Sequence, residues 1–369
     1  MSSRAFLFVI TEVIRSRSAE AVRYVSCNPA RAAAQPLPET FCLLGCSPPW
    51  LAPARPGTYG SAVPTPDDAY PYLSDVVKAL TGADLPLPMP MFGLLVLVAL
   101  VAATFVLRIE LRRRWSGGEL GGPASLEQLD ELTTTFAAAM LLSGIAGAKL
   151  FSLAEDPGAV LADPVGQVFS SNGFNIIGGL VVATAVGVVI LRRKRIRVAP
   201  FLDAAAPALM LGYAVGRIGC QVSGDGDWGV AADLADKPGW LPSWLWAQQY
   251  EGNILGVQIP APGVHPTPIW ETAMALVLFG VLWALRRHPY RAGWLFSLWI
   301  VLAAAERLAI EPFRVNELHG PLALSQAQYL STLFLVVGLV GLLRLRARRA
   351  TAPDPEADET REPQPSETA

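Results

Sequence analysis

Long apolar runs alternate with short polar junctions along most of this chain. Seven runs, at 91–109, 131–153, 174–191, 199–218, 267–285, 293–311 and 324–345, are continuous and show no period of two. A bilayer core takes roughly 20 mainly apolar residues of helix. Within lipid an unbroken apolar run satisfies its own backbone only as a helix. The pattern therefore predicts an all-α polytopic membrane protein with seven transmembrane helices. Just before the first run, Leu73, Val76, Val77, Leu80 and Leu85 fall near helical spacing, with Asp75, Lys78 and Asp84 between them. That is the pattern of a helix lying on a membrane surface.

The flanks read differently. Residues 1–70 are rich in Pro, Ala, Ser and Arg and lack sustained periodicity, as expected of a disordered tail or of a start site assigned too early. Leu43-Leu44-Gly45-Cys46 resembles a lipoprotein cleavage box. However, residues 35–40 carry two prolines and a glutamate where a signal peptide needs an apolar core. Residues 71–349 form the expected membrane domain, and the acidic 350–369 segment reads as a disordered cytoplasmic tail.

Composition supports this division. The 369 residues are 52% hydrophobic and 16% charged, too apolar for an ordinary soluble domain. The net charge of −2 hides a segregation that sets orientation. Basic clusters follow the first run (Arg108, Arg112, Arg113, Arg114), the third (Arg192, Arg193, Lys194, Arg195, Arg197), the fifth (Arg286, Arg287, Arg291) and the seventh (Arg344, Arg346, Arg348, Arg349). Residues 154–173 have no Lys or Arg, and 221–266 have only Lys237. The positive-inside rule then places the N-terminus outside and the C-terminus in the cytoplasm. The external segment 221–266 holds Trp228, Trp240, Trp244 and Trp246, residues suited to headgroup depth. The four cysteines show no metal-ligand or disulfide spacing, and with three histidines no His-rich metal site is expected. No nucleic-acid partner is expected either.

With orientation set, the polar residues inside the runs gather in the outer third. Arg217 closes the fourth run, followed by Asp225 and Asp227; Asn175 opens the third. His265 precedes the fifth and Glu271 lies inside it, Arg307, Glu311 and Arg314 end the sixth, and Gln328 opens the seventh. A transport path would carry polar residues through the midplane. This distribution instead describes a pocket open to the outer leaflet, where forked guanidinium groups suit a phosphate. The inferred ligand is an anionic phospholipid drawn from the surrounding bilayer lipid. Plainer roles stand beside this one. Arg307 and Glu311 could be a structural ion pair, and Arg217 could snorkel. Asp225 and Asp227 could form a turn or hold an external divalent cation, and His265 before Pro266 could simply start a helix.

Three ordered motifs carry a family resemblance. They are Gly216-Arg217-Ile218-Gly219-Cys220-Gln221-Val222-Ser223-Gly224-Asp225-Gly226-Asp227-Trp228-Gly229, then His265-Pro266-Thr267-Pro268-Ile269-Trp270-Glu271, then Arg307-Leu308-Ala309-Ile310-Glu311-Pro312-Phe313-Arg314. Over about residues 70–349 the chain resembles the prolipoprotein diacylglyceryl transferases. The resemblance implies transfer of a diacylglyceryl group from phosphatidylglycerol to the cysteine thiol of a prolipoprotein lipobox segment, releasing glycerol phosphate, with no cofactor. It implies phosphate-handling roles for Arg217 and Arg307. It also implies substrate-binding roles for Gly216, Gly219, Gly224, Gly229, Glu271, Glu311 and Arg314, and the depth of Asn175 and Gln328 in the runs adds these two as substrate-binding candidates. Three polar positions depart from the family pattern. Ile177 stands where a third-span histidine is common, Phe92 replaces a tyrosine, and Cys220 replaces the signature asparagine. The base that takes the thiol proton is then Asp225, Asp227 or His265 by position. Alternatively, the chain is a non-catalytic phospholipid-binding paralogue, or a transferase with another acceptor.

Overall fold

The computed structural model describes residues 67–86, 89–170, 175–316, 318–319 and 324–347; the expectations for 1–66 and for the acidic tail lie outside the described residues. The amphipathic stretch forms α1 (Leu73–Thr81), none of whose residues is buried. Every apolar run is helical: α2 (Met91–Ser116), α3 (Leu126–Glu155), α6 (Ile176–Arg193), α7 (Val198–Ser223), α8 (Thr267–Leu285), α9 (Trp294–Ile310) and α10 (Gln326–Leu345). Two one-turn helices, α4 (Pro157–Ala162) and α5 (Pro164–Phe169), link α3 to α6; each starts on an aspartate cap followed by proline. By length and composition α2, α3, α7, α8 and α10 can each cross a bilayer. The 17 residues of α9 rise only about 26 Å.

Several helices overrun the apolar runs that predict them. Ser125 accepts from the Gln128 amide at 3.3 Å and starts α3 ahead of its apolar run. The polar first turn that results docks on α2, where Arg112 Nε meets Asp130 Oδ1 at 2.8 Å. At the other side of the bundle α7 continues to Ser223, so the long connecting loop begins at Gly224 rather than at 221.

Helix α7 is the most enclosed element, packed between α2, α8 and α9. Its small residues Ala204, Ala206 and Ala214 let neighbours approach and are fully buried. Helix α3 lies along α6 through facing glycines: a Cβ on Gly178 would sit 2.3 Å from Phe151 Cβ and 2.8 Å from Gly147 O. Such small-residue contacts are how helices pack closely in lipid. Outward positions such as Leu97, Val101, Leu180, Val277 and Leu343 stay exposed and apolar. The arginine-rich junctions meet at one end of the bundle, tied by Arg197 N–H to Leu120 O (2.9 Å), Gly293 N–H to Asp203 (2.9 Å) and Arg291 N–H to Leu345 O (3.3 Å).

At the opposite end, the loop from Gly224 to Pro266 folds over the helix ends around Trp228, Tyr250, Ile259 and Val264. Residues 67–70, assigned to the tail by composition, belong to this small core: Ala69 is fully buried and its amide donates to Glu251 O at 2.7 Å. Of the four loop tryptophans, Trp240 and Trp244 are exposed, whereas Trp228 is buried against Tyr250 with ring centroids 5.1 Å apart. A two-residue antiparallel pair, β1 (Leu318–His319) with β2 (Leu324–Ser325), precedes α10.

Candidate active site

Four chain segments converge at the end of the bundle that the loop covers. The last turns of α7 supply Arg217 and the first turns of α8 supply Glu271. Beyond α7 the chain turns through left-handed Gly224 (φ 57°) and Gly226 (φ 94°), which brings Asp227 back over the helix end. Pro312 disfavours regular helix before it, and α9 stops at Ile310, passing into a single 3-10 turn. Arg307 and Glu311 keep helical spacing and pair at 2.8 Å. Arg314 leaves their shared face, because its backbone is extended (φ −98°, ψ 148°). Gly229 bridges to Arg314, and this close approach aims the arginine at Asp227.

The product is a ring of three guanidinium groups and three carboxylates. Glu271, 0% exposed, is its hub: it pairs with Arg217 and lies 3.3 Å from Arg314 Nη1 and 3.5 Å from Arg307 Nη1. Asp227 pairs with Arg217 and, at 2.8 Å, with Arg314 Nη2. Glu311 pairs with Arg307, accepts from Asn316 Nδ2 at 2.6 Å and from Ser325 Oγ. Arg217 is 8% exposed, so it is an enclosed charge, not a side chain reaching for solvent. Burying charges at this density is tolerable only because each has an opposite partner.

The loop carboxylates are tuned apart. Burial pushes Asp227 up, but Arg217 and Arg314 outweigh it and hold the carboxyl at about 2. Burial raises Asp225 above the ordinary carboxylate value; the Cys220 thiol opposes the rise and Asp227 adds to it. Burial lowers His265, with its Nδ1 contact to Trp246 O (2.9 Å) opposing. The Cys220 sulfur stands 3.4 Å from Arg217 Nη1 and 3.6 Å from Asp227 Oδ2. Ligand atoms of Cys220, Asp225 and Asp227 lie within 4.8 Å of one another, close enough for a metal ion. The Arg217 guanidinium already supplies positive charge there.

The family profile for prolipoprotein diacylglyceryl transferase aligns with residues 81–344. The chain belongs to this family. A phosphatidylglycerol–prolipoprotein diacylglyceryl transferase of Corynebacterium efficiens is 26% identical over 303 residues, covering 79% of this chain and 85% of that protein. The protein of the same name from Leptospira interrogans is 25% identical over 277 residues, covering 68% and 79%. That from Frankia alni is 30% identical over 288 residues, covering 75% and 68%. With its apolar helices, this member of the family is a multi-pass membrane protein.

Of the site residues named from sequence, Arg217, Arg307, Arg314, Glu271, Glu311 and Asp227 meet in the ring, with Asp225 at its edge. The others are placed elsewhere. Asn175 caps α6, accepting from the Gly178 amide at 3.0 Å. Gln328 forms a capping box with Ser325, so its side-chain oxygen is committed to the Ser325 amide at 2.9 Å. His265 is buried in a box of Trp246, Trp270 and Phe313 rings, outside the ring of charges. Gly219 allows α2 against α7, where a Cβ would lie 3.3 Å from Leu95 Cβ, and Gly224 is the left-handed cap of α7. Of the four glycines named from sequence, Gly216 alone faces open space, with nothing within 4 Å of an added Cβ. Of the family departures, Ile177 is 42% exposed, and Phe92 packs beside Gly219.

Sequence reasoning passed over Tyr213 and Glu306. The Tyr213 hydroxyl donates to buried Glu306 at 3.4 Å, one residue before Arg307. A carboxylate inside an apolar run was the available signal. The same signal marks Asp203, and Glu110 stands just past the first run; both are 0% exposed, at the arginine-rich end.

Proposed function

We propose that this protein transfers the diacylglyceryl group of phosphatidylglycerol to the lipobox cysteine thiol of prolipoproteins at the outer face of the bacterial inner membrane. Glycerol phosphate leaves. In this reading all seven apolar helices span, with the N-terminus outside, the C-terminus in the cytoplasm and the Gly224–Pro266 loop covering the outer face. The observation that carries the proposal is the convergence of Arg217, Arg307 and Arg314 on Glu271 at one end of an otherwise apolar bundle. Forked guanidinium groups held ready by carboxylates suit a phosphate whose charge grows as the C–O bond breaks.

In the reaction, the thiolate sulfur forms a C–S bond to the glycerol carbon of the lipid. The C–O bond to phosphate breaks, and its electron pair leaves with glycerol phosphate. Thiolate is the competent nucleophile, so a base must first take the thiol proton. Among the three positional candidates, Asp225 fits best. Asp227 is pinned as an anion by two arginines and has little affinity for a proton. His265 has its Nδ1 committed to Trp246 O inside an aromatic box. Asp225 is half-buried, raised in proton affinity, and next to the ring.

The test is direct. Purified protein with phosphatidylglycerol and a lipobox peptide should yield a thioether-linked diacylglyceryl peptide by mass spectrometry. Arg217→Ala should cut the rate by roughly 10²–10³, the cost of losing one charge-stabilising donor. No product where a relative from the family gives one would reject transfer. Ile177 in place of the family histidine motivates the second reading, a phospholipid-binding paralogue, which predicts lipid binding that needs Arg217 but no product.

A further inference from the structure

A second polar cluster lies at the arginine-rich end, far from the ring. Asp203 and Arg217 are fourteen residues apart on α7, about 21 Å along its axis. There, Arg113, Arg114, Glu119, Arg286, Arg287 and His288 line a cavity of about 240 Å³. Its walls are cross-linked by ion pairs and hydrogen bonds. Arg286 lies over the Trp283 ring at 4.1 Å and meets Glu110 at 3.3 Å. Arg113 pairs with Glu110 at 2.7 Å and donates to Arg286 O at 3.1 Å, tying α2 to the end of α8. Arg114, 1% exposed, pairs with Glu119 at 2.9 Å and approaches Asp203 at 3.7 Å.

Two features set this cluster apart from a closed structural network. Among the described residues, both ring nitrogens of His288 and the Arg114 Nε are buried without a hydrogen-bond partner. The His288 side chain is nine-tenths buried or more, and its Nε2 stands 3.6 Å from Asp203 Oδ2. Buried polar groups are nearly always partnered, so unpartnered ones lining a cavity point to a ligand. The charge is also unbalanced. Four arginines face three carboxylates (Glu110, Glu119 and Asp203), and exposed Arg287 has no ion pair among the described residues. Asp203 accepts from the Gly293 and Phe296 amides at 2.9 and 3.0 Å, so it holds α9 in place as well as facing Arg114 and His288.

We infer that this cavity binds a phosphate-bearing anion, with Arg287 and His288 contacting its oxygens between the fixed Arg113, Arg114 and Arg286. The chemistry is shared by an anionic lipid headgroup at that membrane face and by free inorganic phosphate. The site lies at the opposite end from the ring, and its occupancy does not depend on whether transfer occurs.

The experiment counts bound lipid by native mass spectrometry on the full chain released from vesicles of phosphatidylglycerol and phosphatidylcholine. It is paired with thermal unfolding in detergent with and without inorganic phosphate. The proteins are wild type, Arg287→Gln, Arg287→Gln/His288→Ala and Arg217→Ala. Wild type and Arg217→Ala should retain a phosphatidylglycerol that the double variant loses, and the apparent affinity for it should fall at least tenfold in the double variant. Arg287 is exposed, so Arg287→Gln folds and should show a several-fold loss by itself. If phosphate raises the unfolding midpoint of wild type more than that of the double variant, and no lipid difference is seen, the source is free phosphate. Equal lipid retention and equal phosphate response across wild type, Arg287→Gln and the double variant would overturn the assignment.

Discussion

Replacing Glu271 with Gln tests the ring at its hub. The carboxylate is fully buried and pairs with or approaches three arginines. In its absence Arg307 keeps Glu311, while Arg217 and Arg314 must share Asp227. Three guanidinium charges then face two carboxylates, and one buried positive charge is left over. Breaking a buried pair by removing one partner costs about 3–5 kcal/mol. The sharing of Asp227 places this case at the lower end. About 3 kcal/mol corresponds to roughly two powers of ten in the folded-to-unfolded ratio. Thermal unfolding in a neutral detergent should therefore show a clear drop in midpoint for Glu271→Gln and a smaller one for Glu271→Asp, which keeps the charge but shortens the reach. The leftover guanidinium charge is also what a phosphate would neutralise. Phosphatidylglycerol should restore part of the lost stability, and phosphatidylcholine should not. A Glu271→Gln protein as stable as wild type, or rescued equally by both lipids, would refute the account of Glu271 as the counter-charge of a phosphate site.

Three further outcomes are expected. With Asp225 as base, activity requires its deprotonated form; because its folded value is raised, transfer should rise with pH through a midpoint above the ordinary carboxylate range. Asp225→Asn should abolish that limb and most turnover in folded protein, and an unchanged pH profile would exclude Asp225. Gly229→Ala forces a Cβ to within 2.3 Å of Phe313 O, a backbone atom that cannot yield cheaply. About 1–3 kcal/mol of stability should be lost, and turnover should fall as Arg314 is levered off Asp227; assaying both separates the two effects. Gly178→Ala sets its Cβ against Phe151 and Gly147 O, away from the ring. It should lower the unfolding midpoint while the folded fraction keeps a turnover close to wild type.

The helices were legible because continuous apolar runs have one stable solution in lipid, and each run proved helical. Their ends were less legible. The cap at Ser125 and the polar first turn of α3 owe their place to a contact with Arg112, a partner on another helix. The same limit applies to the site. Arg217, Glu271, Arg307, Glu311 and Arg314 stood out as charges in or beside apolar runs. Yet Asn175, Gln328 and His265 stood out for the same reason, and the fold uses them as a cap, a capping box and one wall of an aromatic box. Local sequence cannot distinguish a polar group committed to a nearby backbone amide from one aimed at a ligand, because the two differ only in what lies across from them.

Sequence alone determined that this is an apolar helical protein with its basic residues at alternate junctions, and that arginines gather at the ends of the fourth and sixth runs. Periodicity and charge placement are properties of each segment by itself, so they survive without knowledge of neighbours. Tertiary structure decided which charges share a ring, because Arg217, Asp227, Glu271 and Arg314 come from four segments that meet only when the chain turns at Gly224, Gly226 and Pro312. It also decided that two guanidinium groups hold Asp227 as an anion while burial raises the proton affinity of Asp225: two residues apart in sequence, they differ in how many guanidinium groups the fold brings against them.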